Sequence, residues 1–169
     1  MEIQKQPVAF IALGSNIGDS ESILRAAFAE LQKLSVAPLI KSSLWQTTPV
    51  DCPPGSPLFL NAVVAFTPHS AETPEMLLEK LQCLEKEFGR RPKKILNEPR
   101  PLDLDLIAFG TEARSTPALT LPHPRAHLRK FVLQPLSEIA PELILSGQTK
   151  TVSELLLGLT SDEAIRKLV

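Results

Sequence analysis

Apolar and polar positions alternate along the chain in patterns that predict a series of strands and helices. Residues 8–13 form a short, uninterrupted apolar run that stops at Gly14, which is typical of a buried strand. Asp19 or Ser20 can then cap a helix, because short polar side chains accept hydrogen bonds from the first free N–H groups. The apolar residues of this helix recur every three or four positions: Leu24, Ala27, Phe28, Leu31 and Leu34.

The middle of the chain continues with two strands and a second helix. Residues 39–47 and 59–66 have the composition of strands and are separated by a proline-containing loop. Thr73 followed by Pro74 is typical of a helix N-cap and first helical position. An apolar stripe follows, and Gly89 suits the position just beyond the helix end.

The last third predicts a further strand and then a mixed region. Residues 102–109 form the strand, and a shorter strand over residues 118–121 is expected to pair back through the turn at Gly110. Residues 125–139 and 152–159 are expected to be helical. The order strand, helix, strand, strand, helix, strand is a split β-α-β arrangement. It predicts an α+β fold with a ferredoxin-like core: a mainly antiparallel sheet with helices packed on it.

Composition and charge narrow the class of protein. The 169 residues fit a single domain over 1–169, and the net charge of −1 gives no general attraction to nucleic acid or to an anionic membrane. The two cysteines cannot form a disulfide framework. The apolar run at residues 8–13 is too short for a signal sequence or a membrane span. A cytoplasmic protein without nucleic-acid or membrane partners is therefore expected.

The sharpest chemical feature is a pair of aspartates in the strand over residues 102–109. Asp103 and Asp105 alternate with leucines, so both carboxylates share one face about 7 Å apart while the leucines face the core. Two such carboxylates repel each other unless a cation lies between them, and magnesium takes one or two carboxylates together with phosphate oxygens and water. The alternatives are a solvated strand face or a salt bridge to Arg100.

Two basic segments flank this pair of carboxylates. Arg90 and Arg100 bracket a proline-bearing loop, and guanidinium groups bind phosphate oxygens through a planar fork of donors. His123 lies between two prolines in the sequence L-P-H-P-R, which suits a donor held in position. The alternatives are a solvated charge run for the loop and a histidine satisfied within a turn for His123.

A third set of residues suits a flat heterocycle. Phe59 and Asn61 are two apart on a predicted strand, so an aromatic ring and an amide share one face. The alternative is an aromatic residue in the core. The chain has no glycine-rich phosphate loop and no serine or cysteine nucleophile arrangement. The residues therefore favour direct transfer assisted by metal and arginine, without a covalent enzyme intermediate.

These motifs, in this order, resemble the hydroxymethyl-dihydropterin pyrophosphokinases of folate biosynthesis. The resemblance runs from about residue 8 to residue 157, and P-R-P-L-D-L-D-L together with L-P-H-P-R is its most specific part. The matching segments are residues 12–16, 47–50, 59–62, 85–90, 99–106, 121–125, 129–133 and 135–141. The chain departs from the family at Asn97, where relatives often carry a tryptophan.

The resemblance implies how ATP would be bound. Asp103 and Asp105 would hold two magnesium ions that grip the ATP phosphates, and Arg90 and Arg100 would close over them on a mobile loop. These four residues are the expected catalytic set. The further nucleotide contacts that the resemblance implies are Thr120, His123 and Arg129.

The resemblance also implies a second substrate, 6-hydroxymethyl-7,8-dihydropterin. The pterin would stack between Phe59 and Phe131 and hydrogen-bond to Asn61. Its hydroxymethyl oxygen would attack the β-phosphorus of ATP and release AMP, in a protein expected to be a monomer. The expected pterin-binding residues are Thr47, Thr48, Val50, Phe59, Asn61, Asp103 and Phe131.

Two other functions fit parts of the sequence. Ferredoxin-like domains with paired aspartates also carry out two-metal chemistry on nucleic acids, although the near-neutral charge argues against that activity here. A pterin- or nucleotide-binding protein that has lost catalysis is the second alternative. Formation of AMP in the presence of a pterin would distinguish an enzyme from a binding protein.

Overall fold

The structure is a computed structural model that describes residues 6–49, 52–92, 94–96, 98–161 and 163–168. Val50, expected to contact the pterin, and Asn97, where the chain departs from the family, lie outside these residues. The strands are β1 (Ala9–Ser15), β2 (Ile40–Lys41), β3 (Trp45–Thr47), β4 (Phe59–Phe66), β5 (Asp103–Phe109), β6 (Arg114–Ser115), β7 (Thr120–Leu121) and β8 (Ile165–Lys167). The helices are α1 (Ser20–Leu34), α2 (Pro74–Glu87), a 3-10 turn (Ala126–Leu128), α3 (Lys130–Ile139) and α4 (Val152–Gly158).

One antiparallel sheet forms the centre of the molecule. Its strands lie in the order β5, β1, β4, β3 and β8, and β2 pairs with β4 beside β3. Each neighbouring pair is antiparallel. β4 therefore lies between β1 and the β2/β3 segment, and β5 returns beside β1. This is the split β-α-β arrangement, so the prediction of a ferredoxin-like α+β fold is confirmed.

The two faces of the sheet pack against different helices. On one face, leucines, isoleucines and valines from β1, β4 and β5 form a core with α1 and α2. On the other face, Phe10, Val63 and Ile107 pack against Val132 and Leu133 of α3. Alternation along each strand assigns side chains to these two cores. The α3 face is important for function because α3 and α4 cover only part of it.

The predicted helix ends are confirmed. Asp19 accepts a hydrogen bond from the Ser22 N–H at the start of α1, and Thr73 accepts one from Met76 before Pro74 at the start of α2. Gly89 follows α2 with a positive φ of 93°, a conformation that glycine adopts without steric cost.

The strand predicted over residues 39–47 is interrupted. Only β2 and β3 are regular strands. Ser42, which lies between them, bonds to Val63 with both its backbone and its side chain. The Ser42 N–H donates to the Val63 carbonyl, and the Ser42 hydroxyl accepts from the Val63 N–H at 2.9 Å. The hydroxyl thereby replaces a backbone acceptor and breaks the ladder without leaving Val63 unpaired.

Two further predictions in the last third need correction, and one strand was missed. The strand near residues 118–121 does not pair across Gly110; β7 pairs with β6 in a separate two-stranded sheet. The helix expected over 125–139 is divided at Arg129, which has an extended backbone with φ −114° and ψ 117°. β8 was not predicted, because three residues are too few to show a periodic pattern.

Candidate active site

Three strands place one row of residues across the open part of the sheet. Gly14 of β1 is in register with Asn61 of β4 on one side and with Asp103 of β5 on the other. Residues in direct register share a face, so the Asp103 carboxylate and the Asn61 amide flank a position without a side chain. Above this row is a cavity of about 430 Å³.

Most of the predicted site residues line this one cavity. They come from four separate segments of the chain, and α3 supplies the wall opposite the sheet. The predicted residues that line it are Thr47, Thr48, Phe59, Asn61, Arg100, Asp103, Asp105, Arg129 and Phe131. The residues predicted to bind pterin and several of those predicted to bind ATP are therefore brought together.

Gly14 leaves the floor of the cavity open because it has no side chain. A Cβ atom at this position would lie 3.3 Å from Asn61 Oδ1 and 3.7 Å from the Phe59 ring. The backbone of Gly14 is ordinary strand, so the restriction comes from space and not from φ. The absent side chain leaves room for a flat ligand between Asp103 and Asn61.

Asp103 is neutralised by the two arginines that bracket the basic loop. Arg90 Nη1 lies 2.6 Å from Asp103 Oδ1, and Arg100 Nε lies 3.3 Å from Oδ2. Burial opposes ionisation, but Arg100 and Arg90 outweigh it and the pKa of Asp103 is lowered. The two arginine side chains are only 16% and 15% exposed. Arg90 and Arg100 are therefore not part of a solvated charge run. The salt bridge between Arg100 and Asp103, which was one alternative for the aspartate pair, is present.

Glu85 is a further member of this cluster, and no local sequence pattern marks it as a site residue. Its Oε2 atom accepts from Arg90 Nη1 at 2.5 Å and from the Leu104 N–H at 2.9 Å. Burial raises the pKa of Glu85 to about 7, and the charge on Asp103 also raises it.

The helix end explains how Glu85 and Arg90 meet. The Arg90 N–H donates to the Glu85 carbonyl and the Gly89 N–H donates to the Lys86 carbonyl, which together form a Schellman motif. This motif turns the chain at Gly89. The Arg90 guanidinium is thereby directed back to the Glu85 side chain and to Asp103.

Asp105 differs from Asp103 because its side chain has no hydrogen bond or ion pair within the described residues. Burial raises its pKa to about 7, and the charges of Asp103 and Glu85 add to this effect, while Arg129 and Arg100 oppose it. A carboxylate in this environment is stabilised by a bound cation.

The donor set suits a hard divalent ion held jointly with a substrate. The described residues contain no group of three or more His, Cys, Asp or Glu side chains that could hold a metal by themselves. Asp103 and Asp105 offer two carboxylates on one face of β5, and magnesium commonly takes one or two protein carboxylates and completes its shell with phosphate and water. The residues present therefore fit magnesium brought in with a nucleotide.

Two aromatic rings that line the cavity each make a cation–π contact with an arginine. The Arg100 guanidinium carbon lies 5.3 Å from the centroid of the Phe59 ring, and the Arg129 guanidinium carbon lies 5.4 Å from that of Phe131. The Asn61 amide is fixed by donating to Thr47 Oγ1 at 2.7 Å. The Asn61 amide oxygen is left to face the cavity floor beside Gly14.

Arg90, Thr120 and His123 do not line the cavity. Arg90 forms an ion pair with Asp103, which does line the cavity. Thr120 is exposed on β7. His123 accepts a hydrogen bond from the Arg125 N–H at Nδ1, so its neutral ring carries the proton on Nε2. Burial lowers the pKa of His123, as do the charges of Arg129 and Arg125. The neutral ring of His123 therefore offers Nε2–H as a donor.

Some lining residues could not be assigned a role from the sequence alone. Arg125 and Leu128, at the 3-10 turn, line the cavity, and so does Cys52. Arg125 belongs to the L-P-H-P-R motif, and this motif could have identified it as a site residue. Neither Leu128 nor Cys52 has a neighbouring residue pattern that points to ligand binding.

Residues 10–141 match the protein family described as 7,8-dihydro-6-hydroxymethylpterin-pyrophosphokinase (HPPK). The chain belongs to this family. The matched residues include the strands of the ferredoxin-like core from Phe10 of β1 onward, helices α1 and α2, and all of α3. In the part of the chain that the structure describes, no helix of this HPPK family member is long and apolar enough to cross a membrane.

Individual relatives agree with this assignment. The 2-amino-4-hydroxy-6-hydroxymethyldihydropteridine pyrophosphokinase of Bacillus subtilis is 41% identical over 137 residues, covering 80% of this chain and 80% of that protein. The protein of the same name from Haemophilus influenzae is 35% identical over 159 residues, covering 94% and 96%.

A solved structure supports the fold. The crystal structure of wild-type Plasmodium falciparum HPPK-DHPS with pteroate has a TM-score of 0.69 at 14% identity, and the match covers 92% of this chain. The chain spans 45% of that longer protein. The likeness therefore concerns the HPPK-like fold, and membership of the family confirms the resemblance found in the sequence.

Proposed function

We propose that this HPPK family member transfers the pyrophosphoryl group of ATP to the hydroxymethyl oxygen of 6-hydroxymethyl-7,8-dihydropterin and releases AMP, as a step of folate biosynthesis. The observation that carries this proposal is the row Asp103, Gly14, Asn61. It places a carboxylate suited to metal and an amide suited to a heterocycle on either side of an open floor. A pterin on that floor would present its hydroxymethyl group towards Asp103.

The phosphates of ATP would lie on the β5 side of the cavity. Asp103 and Asp105 would hold magnesium, with two ions expected, and the bound metal would withdraw charge from the phosphate oxygens. Arg100 lines the cavity and Arg90 contacts Asp103, so both guanidinium groups can move onto phosphate oxygens over a short distance. There they would stabilise the charge that develops during transfer.

Further nucleotide contacts would come from the 3-10 turn and the start of α3. Arg129 lines the cavity and carries a positive charge that is not paired with any carboxylate of the described residues. His123 would donate through Nε2, because its Nδ1 is occupied by the Arg125 N–H. Thr120 would contribute only at the rim, since it is exposed.

The pterin would bind between the sheet and α3. Phe59 forms the sheet side and Phe131 the α3 side of the cavity, and aromatic rings stack favourably on a flat heterocycle. Asn61 would hydrogen-bond to the polar edge, held in orientation by Thr47. Thr48 lies beside them and Asp103 would face the hydroxymethyl group. Val50 retains its predicted role as a pterin contact.

The cavity favours an enzyme over a protein that only binds pterin. A binding protein would have no need for two buried arginines beside a pair of carboxylates, because burying unused charge is costly. The nucleic-acid alternative is disfavoured by the size of the cavity, about 430 Å³, which suits small substrates.

The direct test is to incubate the purified chain with ATP, magnesium and 6-hydroxymethyl-7,8-dihydropterin and to separate the nucleotides chromatographically. The expected result is AMP formed in equal amount to pterin consumed, only when all three are present. Asp105→Asn is the matched inactive control. Formation of ADP would indicate transfer of a single phosphoryl group, and pterin binding without AMP would establish the binding-protein alternative.

A further inference from the structure

The amide of Asn16 is buried at the end of β1 and has no role in the proposed function. Asn16 follows Ser15, the last residue of β1, and is only 3% exposed. It is not one of the described residues that line the cavity. Its hydrogen bonds nevertheless reach two distant segments of the chain, and each of these segments carries or precedes a residue of the cavity wall.

The first segment contains Arg100, which Asn16 binds through both of its backbone groups. Arg100 lies between Pro99 and Pro101, so it has the only backbone N–H of these three residues. Asn16 Oδ1 accepts this N–H at 2.9 Å, and the Asn16 N–H donates to the Arg100 carbonyl at 3.2 Å. Asn16 thereby continues the antiparallel pairing of β1 and β5 beyond Asp103, with a side-chain oxygen as the acceptor.

The second segment leads into β4. Asn16 Nδ2 donates to the Pro57 carbonyl at 3.5 Å, two residues before Phe59. The Phe59 ring centroid lies 5.3 Å from the Arg100 guanidinium carbon. Asn16 is therefore connected to the backbone near both members of this cation–π pair. The contact with Pro57 is the longest of the three hydrogen bonds, so the two bonds to Arg100 are expected to dominate.

The Arg100 side chain has a donor left for a ligand. Arg100 Nε lies 3.3 Å from Asp103 Oδ2, yet within the described residues this buried nitrogen makes no hydrogen bond. A phosphate oxygen would be a strong acceptor for it. A long side chain loses rotational freedom when it binds, and a backbone fixed at Arg100 leaves fewer conformations to be lost. The position of the Arg100 backbone is therefore important for how the guanidinium meets the phosphate.

We propose that Asn16 is a positioning residue for the transfer reaction: it holds the backbone of Arg100 at the end of β1 and thereby aims the guanidinium at the reacting phosphates. The inference rests on the proposed function for the role of Arg100. Asn16 does not itself line the cavity. Because Arg100 is proposed to stabilise charge that develops during transfer, the loss of Asn16 is expected to lower kcat more than substrate affinity.

A matched pair of variants separates positioning from general stability. Asn16→Ala removes the acceptor of the Arg100 N–H. Gln32→Ala removes a similar amide of α1, whose Oε1 accepts from the Leu39 N–H at 2.9 Å and whose Nε2 donates to the Ala37 carbonyl at 3.1 Å. Neither Gln32 nor its two partners line the cavity. Both variants therefore lose an amide that joins two backbone segments, but only one of them is connected to Arg100.

Two further variants at the same position complete the set. Asn16→Asp keeps an acceptor oxygen for the Arg100 N–H and should restore most of the activity. Asn16→Ser keeps a polar side chain that is one bond too short to reach this N–H, and it carries the same test if Asn16→Ala does not fold.

The first measurement is kcat for AMP formation, well below the melting temperature of each variant. Asn16→Ala should lower kcat at least about fivefold, since a small misplacement of a group that contacts the reacting atoms is costly. Asn16→Asp should stay within about threefold of the unaltered chain. Gln32→Ala should lower the melting temperature while changing kcat less than about twofold. In an Arg100→Ala background, Asn16→Ala should lower kcat by less than about a further twofold, because its target is already gone.

The second measurement does not depend on turnover. Exchange of the Arg100 amide hydrogen, followed by NMR in the ligand-free protein, should be at least about tenfold faster in Asn16→Ala and nearly unchanged in Asn16→Asp and Gln32→Ala. Equal protection of this amide in Asn16→Ala and the unaltered chain would overturn the proposal. So would an unchanged kcat in Asn16→Ala, or an undiminished effect of Asn16→Ala in the Arg100→Ala background.

The proposed function is tested separately by AMP formation in the unaltered chain. A chain that forms no AMP but loses protection of the Arg100 amide in Asn16→Ala would retain the backbone clamp and lose the proposed activity. An active chain in which the same variant leaves that protection intact would retain the activity and lose the positioning role.

Discussion

Arg90 Nη1 lies 2.6 Å from Asp103 Oδ1, so the two side chains neutralise each other. Arg90 is expected to bind phosphate, and Asp103 is expected to bind metal. The pair cannot persist unchanged when a divalent ion occupies Asp103, because the ion and the guanidinium compete for the same oxygens. Loading the site with metal and nucleotide should therefore release Arg90 from Asp103 towards the phosphates, where its charge is needed.

The first prediction follows from this competition. Arg90→Ala should strengthen binding of Mn²⁺, used as a spectroscopic substitute for magnesium, to the nucleotide-free protein, because the competing cation is gone. The same variant should lower kcat at least about tenfold, or about 1.4 kcal/mol of transition-state stabilisation. Electron paramagnetic resonance titration and steady-state rates measure the two effects. Arg91→Ala, an exposed neighbour, is the control, and weaker Mn²⁺ binding in Arg90→Ala would contradict the competition.

The second prediction concerns Asp105, whose carboxylate is crowded by Asp103 and Glu85. Asp105→Asn keeps the shape of the side chain and removes one of three close charges. It should raise the free energy of unfolding by about 1 kcal/mol while abolishing magnesium-dependent turnover. Urea denaturation and the AMP assay report on the two properties. Glu79→Gln, an exposed carboxylate on α2, should change neither, and normal turnover in Asp105→Asn would disprove the metal assignment.

The third prediction tests the floor of the cavity. Gly14→Ala would place a Cβ atom 3.3 Å from Asn61 Oδ1, where the pterin is proposed to lie. The folded state should be unchanged or more stable by up to about 1 kcal/mol, since alanine loses less backbone entropy than glycine in a strand. Pterin affinity should nevertheless fall at least about tenfold, while ATP affinity changes little. Calorimetric titration with each ligand checks this.

Asn61→Ala supplies the comparison for Gly14→Ala. It removes the amide and should also weaken pterin binding, by about 1–3 kcal/mol for a lost buried hydrogen bond. Equal losses of pterin and ATP affinity in both variants would indicate a general packing defect and not a pterin floor.

The fourth prediction uses His123, whose pKa is lowered by burial, Arg129 and Arg125, with Asp103 opposing. The unfolded chain, with a histidine pKa near 6.5, then takes up the proton more readily than the folded one. Stability should therefore fall as pH drops below about 6.5, until the lower folded-state pKa is passed. His123→Gln should reduce this loss in urea denaturation between about pH 7 and about pH 5, whereas His127→Gln should not. The same pH dependence in His123→Gln and the unaltered chain would show that His123 is not responsible.

Local patterns in the sequence determined much of this protein. Strand alternation placed Asp103 and Asp105 on one face, and Thr73, Pro74 and Gly89 marked the ends of α2, because these features depend only on backbone geometry within a few residues. The order of elements was enough to predict the split β-α-β sheet. The motifs around Asp103 and His123 were enough to identify the family.

Tertiary structure decided the rest, because it depends on which distant residues meet. The register that aligns Asp103, Gly14 and Asn61 joins three strands far apart in the chain, and no local period specifies it. The carboxylate of Glu85 acquired its role only when α2 packed beside β5. Likewise, the pairing of Thr47 in β3 with Ile165 in β8 joins residues far apart in the chain, and a three-residue strand shows no local period that would predict it.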